Sequence, residues 1–468
     1  MSDMQRTNPL AYEPINKLLL SYAIPGIIAM LVNSLYNIVD QIFIGHSSAG
    51  YLGNASTTII FPLINFGLAV ALLFGQGCAA YISLKLGADE AQDVNRAFGS
   101  MLTALTVCGV LYSVLCAIFM EPVLTALGAT DAIMGYCKDY GYIILIGQPL
   151  VILTIGMGNV TRADGSPAFI MNRMLIGAGI NVVLDPIFIF ALDMGVAGAA
   201  IATVISQAVA FVLSVLYFVK ASHYVKFEKG IFWPDFPLLG RLAMLGASGF
   251  ATQTAVSLVN LIMNNMLRHY GALSVYGSEV PISAMGIVLK VGAIMIAVLV
   301  GISQGAQPIL GFNYGARNYK RVKQTYFTSI KAGITFSVAC WLMFMIFPRY
   351  LILLFGDNTP LFVEFGVLCY RRYLGLMCVA GFQIVSANYF QAVGHPVKAI
   401  FLTLSRQFIF LIPIMFAFGA LFGIDGILFS GMAADALACI VTGTTIVLEI
   451  RRLDRLIGSG GRAEASLA

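Results

Sequence analysis

The sequence predicts an all-α integral membrane protein of about twelve transmembrane helices. These form two six-helix halves related by a pseudo-two-fold axis along the membrane normal. Three observations carry that expectation. Hydrophobic residues make up 59% of the 468-residue chain and charged residues only 10%, where a soluble domain is about one quarter charged. Uncharged runs such as 58–84 exceed the ~20 residues that cross hydrocarbon as a helix and are too long for barrel strands. The chain also repeats itself. Gly75-Gln76-Gly77, Gly87-Ala88, Val94 and Phe98 return 228 positions later as Ser303-Gln304-Gly305, Gly315-Ala316, Val322 and Tyr326. Asn159, Ala163, Gly165 and Pro167 return as Asn388, Ala392, Gly394 and Pro396, offset by 229, and Gly195-x-x-Gly198 returns as Gly423-x-x-Gly426. A near-constant offset in three regions indicates internal duplication.

In order, apolar runs place spans at 17–43, 54–83, 94–119, 134–158, 167–191 and 195–220 in the first half. The second half gives 238–268, 278–310, 324–347, 361–390, 397–420 and 425–449. Six spans per half is an even number, so both halves enter the membrane in the same direction. The expected division is an N-terminal lobe over 1–221, a cytoplasmic linker over 222–237, and a C-terminal lobe over 238–468. Connections carrying Lys85, Arg96, Arg162, Arg173, Lys220, Lys226, Lys229, Arg317 to Lys323, Lys398 and Arg451 to Arg455 all fall on one side. Roughly twenty of the 27 Lys and Arg lie there, which by the positive-inside bias makes that side cytoplasmic, with both termini inside. Opposite loops, around Glu121 to Asp139, Asp193, Asp357 and Asp425, are richer in acid.

The net charge of +5 is mostly this topological bias and does not argue for nucleic acid. The linker, with Lys226, Glu228, Lys229 and Trp233, is the one polar interruption at the duplication boundary; tethering is its plainest role. The first dozen residues lack the basic, apolar, small-residue order of a cleaved signal. Eight dispersed cysteines without a Cys-x-x-Cys read as small core fillers, with neither disulfides nor a metal site expected. All four histidines map to loops or span ends, so any proton-binding group within the membrane must be a carboxylate.

Charges inside spans are costly unless they meet a partner or water, so each marks a candidate site. Asp40 lies late in the first span, about 22 residues or ~33 Å beyond Leu18. Asp185 lies about 18 residues or ~27 Å beyond Pro167. Both fall toward the outer leaflet. Asn181 is four residues before Asp185, on the same helix face. Pro186 lacks an amide hydrogen and frees the carbonyl of Val182, allowing a bend beside the carboxylate. Thr203, eight residues after Gly195, falls at a similar depth. A carboxylate, an amide oxygen and a hydroxyl suit a proton or a small hard cation; the alternative is that the acids merely bond neighbouring helices. When the halves are aligned, Asp40 falls on Met263 and Asp185 on the apolar run 411–415. Carboxylates needed only for bundle stability should occur in both halves, so their confinement to the first favours a functional reading.

The second half carries other charges. Lys290 lies about 14 residues or ~21 Å from Gln304, near mid-membrane. Asp435 stands where the first half has Gln207, and Arg406 lies in the eleventh span. A Lys290–Asp435 ion pair is the expectation, since buried charges usually pair; a titrating Lys290 is the alternative.

Pro25, Asp40, Asn181-x-x-x-Asp185-Pro186, Thr203 and the set Gln304, Gly305, Tyr314, Gly315 and Ala316, in this order on a duplicated six-plus-six frame, resemble the multidrug and toxic compound extrusion family. The match covers nearly the whole chain and is closest to its bacterial MepA-like branch. The resemblance implies V-shaped lobes that open alternately to either side of a bacterial plasma membrane. It implies export of amphiphilic, commonly cationic drugs against protons or sodium, by a chain expected to be a monomer with no cofactor and no metal beyond sodium. It assigns the cation-binding set to Asp40, Asn181, Asp185 and Thr203, and helix bending to Pro25. It places Tyr36, Tyr140 and Asn159 at the cavity. The acidic set that another branch carries in its second lobe is not evident here. A flippase for lipid-linked saccharides is the alternative within the superfamily; it should line its cavity with several basic residues, where only Lys290 and Arg406 are candidates. An intramembrane prenyl or acyl transferase would need paired Asp clusters or a His-Asp element at a membrane edge, which the sequence lacks.

Overall fold

A computed structural model describes residues 8–47, 50–90, 92–227, 235–353 and 359–458. The long helices are α1 (Ile15–Gly45), α2 (Gly50–Gly87), α3 (Gln92–Ile118), α4 (Asp131–Ala163), α5 (Pro167–Pro186) and α6 (Gly195–Lys220). They continue as α7 (Phe236–Ala272), α8 (Glu279–Gly315) and α9 (Tyr319–Ile346). A tenth span, α10, is bent by 47° between Pro360–Tyr373 and Met377–Ala392. The segment Pro396–Gly458 is 63 residues long, or ~95 Å if straight, against a hydrocarbon core of ~30 Å. Gly423, with φ 62° and ψ −138°, divides it into α11 and α12. The described residues therefore contain twelve apolar passes and no strand.

The duplication is visible in backbone geometry. Gly195 and Gly423 both take positive φ, 53° and 62°. Their partners three residues on sit against the end of the preceding helix: a Cβ on Gly198 would meet Phe188 carbonyl oxygen at 2.8 Å, and one on Gly426 would meet that of Phe418 at 1.9 Å. The Gly-x-x-Gly element is thus a tight reversal used twice, where the first glycine supplies the left-handed backbone and the second the room. Asp89 and Arg317, at matching positions after the two Gly-Ala pairs, also share positive φ, 65° and 55°.

Two compact units result, and the chain changes unit inside helices rather than between them. Unit 1 comprises Ile24–Gln253; unit 2 begins at Thr254 and also takes the stretch ending at Ala23. The change in α1 therefore falls beside Pro25, whose missing amide leaves the Ser21 carbonyl without its helical donor. In unit 1 the first turns of α7 lie against α2, where a Cβ on Gly77 would fall 1.9 Å from the Leu242 carbonyl oxygen. In unit 2 the first turns of α1 lie against α8, where a Cβ on Gly305 would fall 2.7 Å from Ala23. Repeated glycines at 77 and 305 thus carry equivalent close helix crossings.

Helices run further than the apolar runs because a polar residue at a span end does not break a helix. Lys85, Arg162, Arg173 and Lys323, read from sequence as connection residues, lie inside α2, α4, α5 and α9. Of the linker, 228–234, with Glu228, Lys229 and Trp233, lies outside the described residues, as does Asp357. The described part is held by unit 1. Asp164, fully buried at the end of α4, accepts hydrogen bonds from the amides of His223, Tyr224 and Val225 and from the Tyr217 hydroxyl, at 2.6 to 2.9 Å.

Candidate functional site

Four helices of unit 1 bring the polar positions together. Tyr36 and Asp40 lie four apart on α1, and Asn181 and Asp185 four apart on α5, so each pair shares a helix face. On α6, Thr203 and Gln207 repeat the spacing, and Tyr140 comes from α4. Asn181 Nδ2 donates to Asp185 Oδ1 at 3.2 Å and makes a longer contact of 3.4 Å with Thr203 Oγ1. Gln207 lies beside the Tyr36 side chain. Asp40 and Asp185 lie within electrostatic reach of one another and of both tyrosines. Asp185 is fully buried, Asn181 1% and Asp40 7% exposed.

Local sequence explains how Asp185 is presented. After Pro186 the backbone widens into π-helical turns over Ile187–Ala191. The proline denies the Val182 carbonyl its usual donor, and a π turn is one way for the chain to re-form its bonding beyond such a gap. Pro186 thus fixes the end of α5 one residue past the carboxylate.

The chemistry of the cluster follows from unmet acceptors. Asp40 Oδ1, Asp185 Oδ2 and Asn181 Oδ1 are buried without a hydrogen-bond donor. Among the described residues neither carboxylate has a Lys, Arg or His within ion-pair distance. Burying two acids of like charge with unfilled acceptors is unfavourable unless something positive or proton-bearing enters. The donor set is all hard oxygen (two carboxylates, an amide oxygen and a hydroxyl), matching a proton or a hard monovalent cation rather than a soft metal.

Asn159 does not join this cluster. It lies 19 residues or ~28 Å along α4 from Tyr140, where it accepts a 3.4 Å contact from Arg162 and donates to the Ile155 carbonyl. Its repeat partner Asn388 makes the same bond to Ile384, which points to a shared structural use. Gln207 is the group the sequence reading did not select for this site. The signal was present, since it stands four residues from Thr203 as Asp185 does from Asn181.

In unit 2 the expected Lys290–Asp435 pair is not formed. Arg406 Nε lies 2.6 Å from Asp435 Oδ1, and among the described residues Lys290 is exposed and has no acidic partner. Arg406 is delivered by a π-helical stretch, Ser405–Leu411, which rotates its side chain relative to a regular helix. Gln383 adds a bond to the Asp435 carbonyl oxygen at 3.0 Å. Of the two basic candidates for a pyrophosphate cavity, one is therefore committed to a carboxylate.

Comparison with known proteins agrees with the duplicated frame. The MatE family model matches twice, over residues 25–187 and 250–417. The multidrug export protein MepA of Staphylococcus aureus (strain N315) is 26% identical over 444 residues, covering 95% of each chain. MepA of Staphylococcus haemolyticus (strain JCSC1435) is 25% identical over 437 residues, covering 93% of this chain and 94% of its own. Among solved structures, an outward-facing multidrug resistance MATE family transporter of the MOP superfamily superposes with a TM-score of 0.86 at 22% identity, covering 97% and 98% of the two chains. A MATE in the bent conformation gives 0.87 at 22% identity, covering 97% and 99%.

Proposed function

The chain belongs to the MatE family, and on that footing we propose that it is a secondary active exporter of amphiphilic, often cationic drugs. Export is exchanged for entry of protons or sodium ions by alternating access. The observation that carries this reading is the buried, acceptor-rich pair Asp40 and Asp185, which no basic side chain among the described residues neutralises. The exported drugs of the MepA relatives, named as multidrug export proteins, support the substrate class.

The mechanism is competition for charge. With both acids ionised and empty, the pocket of unit 1 attracts a lipophilic cation. An incoming sodium ion takes Asp185 Oδ2, Asp40 Oδ1 and Asn181 Oδ1 as ligands with Thr203 completing the shell, whereas a proton neutralises one of the two carboxylates; either weakens the hold on the drug. Tyr36 and Tyr140 border the same charges and Asn159 stands further along α4. Two prolines translate occupancy into motion: Pro186 ends α5 beside Asp185, and Pro25 marks the point at which α1 leaves unit 1. A cation crossing down its gradient supplies about 2.3 kcal/mol per charge per 100 mV. The positive-inside bias puts the pocket toward the outer face of a bacterial plasma membrane, with both termini cytoplasmic.

The test is uptake of a fluorescent lipophilic cation by liposomes holding purified protein, under a pH gradient or a sodium gradient imposed separately. Accumulation driven by one of the two gradients is expected and names the ion. Movement of labelled lipid-linked saccharide instead, with no ion-driven dye transport, would overturn the reading.

A further inference from the structure

Arg162 and Arg173 stand out at the opposite end of unit 1. Each is buried, 7% and 6% exposed, and among the described residues neither has a carboxylate within ion-pair distance. Arg173, from α5, packs against the face of α4 that carries Arg162. Thr154, Gly158 and Arg162 are spaced four apart on it; Arg173 NH1 donates to the Thr154 carbonyl oxygen at 3.1 Å, and a Cβ on Gly158 would lie 3.0 Å from Arg173 NH2. The two guanidinium groups are within electrostatic reach of each other. Their hydrogen bonding is incomplete. Arg173 reaches Ser214 Oγ at 2.8 Å, but its Nε is buried without an acceptor, and so is the Thr154 hydroxyl. Arg162 has only the 3.4 Å contact with Asn159 among the described residues. Asp164, two residues beyond Arg162, is no substitute, since its carboxylate already accepts four bonds.

This is the inverse of the carboxylate cluster. There, buried acceptors lack donors; here, two buried donors, Arg173 Nε and the Thr154 hydroxyl, lack acceptors, and two cations that cannot release a proton lack a counter-charge. Buried charge of one sign is stable only when it is paired and hydrogen-bonded. We propose that Arg162 and Arg173, with the Thr154 hydroxyl, bind a small inorganic anion, a halide or an oxyanion such as phosphate, that ties α4, α5 and α6 together at this end of unit 1. Along α5 the site stands 12 residues or ~18 Å from Asp185, so it is separate from the cation pocket and independent of the transport reading.

The experiment is thermal unfolding of the purified full-length chain in neutral detergent, with sodium concentration and ionic strength fixed. Gluconate is replaced stepwise by chloride or by phosphate. The expected result is a saturable rise in Tm, on the order of a few degrees, with at least one of the small anions. It should be absent in Arg173→Gln and should persist in Asp185→Asn, whose change lies in the other pocket. If Arg173→Gln does not fold, Thr154→Val decides, with a midpoint shifted roughly tenfold to higher anion concentration. Equal melting in all three salts, which is what a site filled by water alone would give, overturns the proposal. So does a saturable rise that survives unchanged in Arg173→Gln or Thr154→Val. A parallel series with zwitterionic lipid or acidic phospholipid added to the micelles separates the sources of a phosphate group. Protection by the acidic lipid alone also overturns a free-anion site.

Discussion

Replacing Arg406 with Gln asks which basic residue holds Asp435. The Arg406 Nε to Asp435 Oδ1 distance is 2.6 Å, with the Asp435 side chain 4% and the Arg406 side chain 27% exposed. At a charge separation of about 4 Å and an effective dielectric of about 20, the gross attraction is about 4 kcal/mol. Desolvation offsets much of that, so the pair adds little net stability. Stranding one member is different. It leaves an uncompensated buried charge at a cost of about 3–5 kcal/mol, and partial exposure of the arginine places Arg406→Gln near the lower end. Removing both charges, as Arg406→Gln with Asp435→Asn, should recover most of the loss, whereas Lys290→Gln should stay within about 0.5 kcal/mol of wild type. The assay is denaturant unfolding in mixed micelles followed by tryptophan fluorescence. Trp341 suits it, because its indole donates to the Gly375 carbonyl oxygen at 2.7 Å, at the bend of α10 in the same unit. A loss in Lys290→Gln equal to that in Arg406→Gln, or a double variant as unstable as the sum of its parts, would show that Arg406 is not the partner of Asp435.

Other consequences are equally direct. Asp164→Ala removes the acceptor for three amides and a phenol and should destabilise unit 1 by a few kcal/mol, at about 1–3 kcal/mol for each donor left dry, with Asp164→Asn milder; folded yield and Tm report it. Gly426→Val places a branched side chain where even a Cβ falls 1.9 Å from the Phe418 carbonyl oxygen, and should abolish monodisperse protein on size exclusion, since moving the chain reversal costs more than ordinary overpacking. Thr203→Ala removes one oxygen from the proposed cation shell while leaving both carboxylates. It should raise the ion concentration for half-maximal transport several-fold with little change in Tm, and unchanged ion dependence would remove Thr203 from the shell.

The sequence made the spans, the duplication and the members of the acidic cluster legible for simple reasons. Hydrocarbon imposes a minimum apolar length, repeat offsets survive divergence, and residues four apart on a helix must share a face. Asn181 and Asp185 could be joined on that ground alone. The partner of Asp435 could not. Choosing between Lys290 and Arg406 needs the rotation that the Ser405–Leu411 π turns add to α11, and no periodicity announces such turns. Arg162 fell outside its predicted span, 134–158, for the opposite reason. Hydropathy marks where hydrocarbon ends, not where a helix ends, so a charge in the last turn of α4 reads as part of a connection. The change of unit within α1 and α7 was equally hidden, because both helices are continuous in sequence pattern across it.

In the proposed mechanism Asp40 and Asp185 exchange drug for a coupling ion. Its most direct test is ion-driven dye transport by Asp40→Asn and Asp185→Asn in liposomes at matched protein content, alongside the Tm of each variant. Gradient-driven transport should fall by tenfold or more, roughly the 1.4 kcal/mol or greater expected when a charged ligand oxygen becomes a neutral amide, with Tm unchanged or raised because an unpaired buried charge is gone. Transport at the wild-type rate in either variant, at the same driving gradient, would contradict it.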